Sequence, residues 1–155
     1  MKLFKTALLV LTLSLSSLYA ESAKVVFDLT TGDANKVQGH LISNIETLSK
    51  YYKEKNIDFS VIVVISGSAY KYFVEDLKHS PYKQETHVFS AQKKLNKALK
   101  GLSENYKVEF NMCKVGMTRR DIKAKTLYKY VNAVDTKSIY LIRAQNDGYA
   151  YIPIH

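Results

Sequence analysis

The 155-residue chain has one cysteine, Cys113, set in Phe110-Asn-Met-Cys-Lys-Val-Gly-Met-Thr118. A single cysteine excludes an intrachain disulfide and a four-cysteine zinc site. What it leaves is thiol chemistry. The thiolate is the nucleophile; positive charge and helix amides favour it, and apolar burial opposes it. Lys114, Arg119 and Arg120 bring charge in sequence, and Gly116 lets backbone approach closely. The competing reading is a small apolar residue filling space, since free cysteines are often buried. The residue types alone leave both open.

Two other turns resemble the one at Cys113. Thr30-Thr31-Gly32-Asp33 and Ser66-Gly67-Ser68 each follow an apolar run, as Cys113-Lys-Val-Gly116 does. The candidate ligand contacts are therefore Thr31, Gly32, Ser66, Gly67, Lys114 and Gly116, with Cys113 as the reactive group. The four histidines have no metal-ligand spacing, and no phosphate-loop, dinucleotide, nucleophile-elbow or zincin motif occurs. No metal and no cofactor is expected. A hydrolase triad has no support, and His40 reads as a partly exposed helix residue.

These turns must be held by regular elements. Lys24 to Leu29 reads as a strand, and Asp33 caps a helix whose face carries Val37, Leu41, Ile45, Leu48 and Tyr52. Val61 to Ile65 is an uninterrupted β-branched run, the mark of a parallel strand buried on both faces. A short helix from Ala69 to Leu77, a loop over residues 78–87 and a helix with the stripe Ala91, Leu95, Ala98, Leu102 follow. Lys93, Lys97 and Lys100 form its solvated face. Val108 to Met112 is a strand running into Cys113. Thr118 and Asp121 have capping-box spacing, flanked by Met117 and Ile122, which predicts a helix from about Arg119. Val131 to Val134 is a fourth strand. Asp135 or Thr136 caps a helix stopped at Asn146-Asp147-Gly148, and Tyr149 to Ile152 is a fifth strand ended by Pro153. Strands alternating with helices predict an α/β fold, a mainly parallel five-stranded sheet with helices on both faces. In such sheets ligands sit beyond the carboxyl ends of the strands, where all three turns fall.

Lys2 and Lys5 precede an uncharged apolar run, and Leu18-Tyr-Ala20 precedes Glu21. This is the layout of a secretory signal cleaved after Ala20. The expectation is a signal peptide over residues 1–20, a single domain over 21–155, a periplasmic location and no stable membrane insertion after cleavage. The formal charge of +9 falls to +7 with the two lysines gone. In an exported protein that charge points away from nucleic acid and toward anionic surfaces or small anions.

The order of these motifs resembles the DsrE/DsrF-like sulfur-relay superfamily. The resemblance rests on Lys24-Val-Val-Phe-Asp-Leu29, Val63-Val-Ile-Ser-Gly67, Phe110-Asn-Met-Cys113 with Gly116-Met-Thr and Ile122, and Leu141-Ile-Arg143 before Gly148-Tyr-Ala-Tyr-Ile152. It spans nearly all of residues 21–155 and is nearest to the small exported, single-domain branch. It implies a three-layer α/β/α sandwich, a homo-oligomer and sulfur handling. In the family's sulfur-transferring members a cysteine at this loop accepts persulfide sulfur, which implies that role for Cys113. A thiol or persulfide donor or acceptor protein is then the partner. The alternative is a non-catalytic oligomeric protein that binds a small ligand and uses Cys113 structurally.

Overall fold

The computed structural model describes residues 21–155; the proposed signal peptide lies outside the described residues. Five strands form one sheet: β1 (Ser22–Leu29), β2 (Asp58–Ile65), β3 (Glu109–Cys113), β4 (Val131–Val134) and β5 (Ala150–Ile154). Their order is β4-β3-β2-β1-β5, and every pairing is parallel. The helices are α1 (residues 34–54), α2 (Thr86–Tyr106), α3 (Lys114–Arg119) and α4 (Lys137–Asn146). Among the described residues no helix is long and apolar enough to cross a membrane.

Strand order dictates which face each helix covers. The chain steps from β1 to β4 in one direction, then returns across the sheet to β5. Right-handed crossovers place the first three connections on one face and the last on the other. The packing agrees. Phe27, Leu29, Val63, Ile65, Phe110 and Met112 meet α1, α2 and α3 in the main core. Val26, Ile62 and Val64 meet Leu141 and Ala144 of α4 in a small second core, with Tyr140 and Tyr149 packed against it. The result is a three-layer α/β/α sandwich with one thick and one thin layer.

Local chemistry accounts for the elements and for several departures from the sequence reading. Asp33 caps α1 through its Oδ1, which accepts from the amides of Asn35 and Lys36. Within α1 the stretch Val37–Ile42 widens to a π-turn, with the Ser43 amide reaching back five residues to the Gln38 carbonyl. The extra residue lets Val37, Leu41, Ile42 and Ile45 all face the core. The expected helix from Ala69 to Leu77 is instead a single 3-10 turn, Ala69–Tyr72, followed by extended chain in which Val74 bridges Leu127. The Gln92 side chain takes the Val74 carbonyl and satisfies that extended backbone. Pro153 does not end the last strand. It pairs in register with Asp28, and an edge strand tolerates its missing N–H.

Candidate functional site

The helix after β3 starts five residues earlier than its spacing predicts. Cys113 itself occupies the N-cap of α3, while Arg119 is its last residue. Thr118 and Asp121 form no capping box: Asp121 lies beyond the helix in left-handed backbone, φ +53°. The reason is geometric. β3 ends at Cys113, and the chain must turn at once for Met117 to enter the main core.

This places Cys113 where neighbouring strands send their connections to opposite faces. Its register partner on β4 is Val134. The chain leaves β3 into α3 on the thick side and leaves β4 into α4 on the thin side. Such a divergence opens a crevice at the carboxyl edge of a parallel sheet, the usual ligand position. Cys113 is only 7 % exposed. Burial is the largest single influence on the thiol, and it acts upward. The amides of Gly116, Lys137 and Val115, with the Tyr70 hydroxyl, act downward and together win, so the thiol sits below its ordinary pKa. The sulfur closes no regular capping hydrogen bond; the amides that lower it belong to the first turns of α3 and α4.

Tyr70 is the buried pillar of the site. Its hydroxyl donates to the Cys113 carbonyl at 3.0 Å. Burial, then the adjacent Cys113, hold its phenol above the ordinary value, so it stays a donor. The Arg120 guanidinium lies over its ring, 5.1 Å from the centroid. Gly116 is required by this arrangement, because a Cβ there would stand 2.0 Å from the Tyr70 oxygen.

The other predicted contacts gather at the same edge and pack on one another. Gly67, at φ +61°, presses against the Thr30 carbonyl, and a Cβ on Gly32 would meet Ser68. Ser66 donates its amide to Leu29, and Thr31 donates its own to Ile154. The Tyr72 hydroxyl donates to the Gly32 carbonyl at 2.6 Å, tying the first turn to the second. The Lys114 ammonium turns to Asp135 at 3.2 Å. Positive charge near Cys113 in sequence is therefore not aimed at the sulfur; backbone amides take that place. His40 lies elsewhere, in a shallow cavity with Lys36, Asn44 and residues 152–155.

Lys137 escaped sequence reading altogether. Its amide faces Cys113, and its ammonium reaches Asp28 at 2.8 Å. Asp28 is 2 % exposed and also accepts from the Tyr151 hydroxyl at 2.9 Å, while its Oδ1 has no partner among the described residues. Alongside, Asn111 donates to the Tyr140 hydroxyl at 2.9 Å. An aspartate at the end of an otherwise apolar strand, Val-Val-Phe-Asp-Leu, was the one available signal. Among the described residues no three His, Cys, Asp or Glu side chains gather closely enough to hold a metal ion.

Comparison with known proteins agrees with this architecture. A protein of Aquifex aeolicus (strain VF5) without an assigned function is 29 % identical over 136 residues, which is 88 % of this chain and 58 % of that one. The chain thus spans little more than half of that relative. A solved structure of a protein of unknown function from Methanobacterium thermoautotrophicum superposes with a TM-score of 0.61 at 22 % identity, covering 85 % of this chain and 99 % of that one. That likeness shows the fold alone. The DsrE/DsrF-like family model matches residues 24–154. Its span takes in every strand and helix described above except the first two residues of β1, and the chain belongs to the DsrE/DsrF-like family.

Proposed function

We propose that Cys113 is a sulfur carrier, accepting sulfane sulfur as a persulfide and passing it to a partner thiol. The observation that carries this reading is the position of Cys113 at the N-cap of α3 and at the sheet's switch point, where the Gly116, Lys137 and Val115 amides draw the thiol below its ordinary value against burial. The Cys113 thiolate attacks the outer sulfur of an incoming persulfide, R–S–SH. A new Sγ–S bond forms, the S–S bond of the donor persulfide breaks, and the donor leaves as the thiolate R–S⁻. Cys113–S–SH then loses its sulfur to a second thiolate by the same exchange, and no external oxidant is consumed. The persulfide is more acidic than its parent thiol, so the same amides hold the carried anion. In a family whose sulfur-transferring members use this loop, Lys114 would meet the incoming anion at the rim and the Gly116 amide would steady it.

The setting that suits this chemistry is periplasmic, after cleavage at Ala20. N-terminal sequencing of envelope protein tests it: a mature start at Glu21 is expected, and a chain still beginning at Met1 overturns it. The second reading keeps Cys113 as a packing residue in an oligomeric small-ligand-binding protein, and the thiol's 7 % exposure favours it. Alkylation separates the two. Iodoacetamide labelling of native protein, followed against pH with Cys113→Ser as blank, should titrate below the free-thiol value of about 8.5. Native protein that labels only in denaturant returns Cys113 to the packing role. A mass increase of one sulfur on Cys113 after exposure to a persulfide donor is the positive result.

A further inference from the structure

The chain's positive charge is concentrated beside the cysteine. Lys114, Arg119, Arg120, Lys123, Lys125 and Lys129 stand within one short segment against Asp121 alone, more than half of the net +9. All six are exposed. The segment folds round a cavity of about 510 Å³, with Met117, Ile122 and Ala133 as an apolar floor and Lys114, Lys123 and Lys125 on the rim. This is within the range of about 300–1,000 Å³ for clefts that hold ligands. Its position is the informative part. Lys114 follows Cys113 directly, and Ala133 precedes Val134, the register partner of Cys113. The lining therefore approaches the cysteine along both β3 and its neighbour, with Cys113 itself outside it. Among the described residues Lys114 and Lys123 are paired only with Asp135 and Asp121, whose side chains are 88 % and 80 % exposed. Ion pairs so open to water are weak and give way readily to other carboxylates.

We propose that this cavity docks an acidic peptide segment with an apolar side chain at its tip, borne by the protein that exchanges sulfur with Cys113. The assignment of that partner rests on the sulfur-carrier reading; the docking itself does not need sulfur. Carboxylates answer the lysine rim, and an apolar side chain fills the floor. A membrane surface would meet the rim and leave the floor empty. No aromatic side chain lines the cavity to stack a nucleic-acid base.

The test is fluorescence anisotropy of a labelled, cysteine-free peptide of Glu and Asp with central Leu residues, titrated into protein carrying Cys113→Ser. Binding is expected to weaken about tenfold between low and physiological salt, as screened complementary charge requires. Lys123→Glu with Lys125→Glu should weaken it by at least about tenfold, whereas Lys93→Glu with Lys97→Glu, on the exposed face of α2, should leave it unchanged. All four lysines are exposed, and circular dichroism melting checks that the variants fold. Equal losses from both pairs, equal binding of an uncharged peptide, or binding only to phosphatidylserine vesicles would each overturn the proposal. Because neither the peptide nor the protein carries a thiol, these results stand apart from the alkylation result on which the sulfur-carrier reading depends.

Discussion

At Cys113, burial and hydrogen bonding push the thiol in opposite directions, and hydrogen bonding prevails. The sign fixes a pH dependence. An acid whose folded pKa is depressed adds stability that is present in full above its unfolded value and is lost as pH falls through the folded value. Denaturant titrations at several pH values should therefore show native protein gaining on Cys113→Ser as pH rises through that window. A difference that shrinks with rising pH would mean the thiol is raised instead. Tyr70 offers a second handle. Tyr70→Phe removes the hydroxyl that favours the thiolate, so the alkylation midpoint should move up while the fold persists. Gly116→Ala drives a Cβ into the Tyr70 oxygen and should cost about 1–3 kcal/mol. Combined with Tyr70→Phe, the same alanine should cost clearly less, and thermal melts of the four proteins close that cycle. Cys113, Lys114 and Gly116 were legible in the sequence because they are neighbours in it. Tyr70 and Lys137 were not, because only the order of the strands brings them to the sulfur. The charges on Lys114 and Arg120 were legible as charges but not as directions: one turns to Asp135, the other to an aromatic face.

Among the elements, α4 is held by an ion pair as much as by packing. Leu141 and Ala144 are its buried apolar residues, with Tyr140 packed partly beside them, and the Lys137–Asp28 pair pins its first turn. The two partners are unequal. Asp28 is sealed in, while the Lys137 side chain is 30 % exposed. Removing the lysine strands a buried carboxylate with Tyr151 alone; removing the carboxylate lets the lysine swing to water. Lys137→Ala should therefore destabilise by about 3 kcal/mol, and Asp28→Asn by less. Urea titration ranks them, and the reverse ranking would show that the carboxylate is not the buried partner of consequence. Either change should also raise the alkylation midpoint of Cys113, since the amide facing the sulfur belongs to the turn that the pair anchors. Periodicity made the long elements readable: the stripe of α1 and the β-branched run of β2 admit few other interpretations. The short ones were misread for a common reason. In α3 and the turn after β2, tertiary demands on Met117, Tyr70 and Phe73 outweigh local spacing, so the apparent cap at Thr118 never forms.

For the molecule as a whole, the unequal layers matter most. The thin layer leaves Ile139 and Ile142 of α4 at 49 % and 57 % exposed. The family resemblance implies self-association, and tyrosines suit interfaces, yet Tyr70, Tyr72, Tyr130 and Tyr140 use their hydroxyls inside the domain. The proposed homo-oligomer is better carried by the outer face of α4. Sedimentation at micromolar concentration should give more than one chain per particle, and Ile139→Lys with Ile142→Lys should dissociate it. A monomer before substitution would refute the assembly. The sheet order also has a bearing on how the chain acquires its structure. Each of β2, β3 and β4 adds beside the strand made before it, but β1 waits for β5, the last strand synthesised, to cover its other flank. Until Ala150–Ile154 arrives, a row of apolar, hydrogen-bond-hungry backbone faces outward, a template for any stray strand. Translation halted before Tyr149 should thus yield a product that aggregates rather than one that is merely shorter, and the β5 segment acts as the sheet's own safeguard against misassembly.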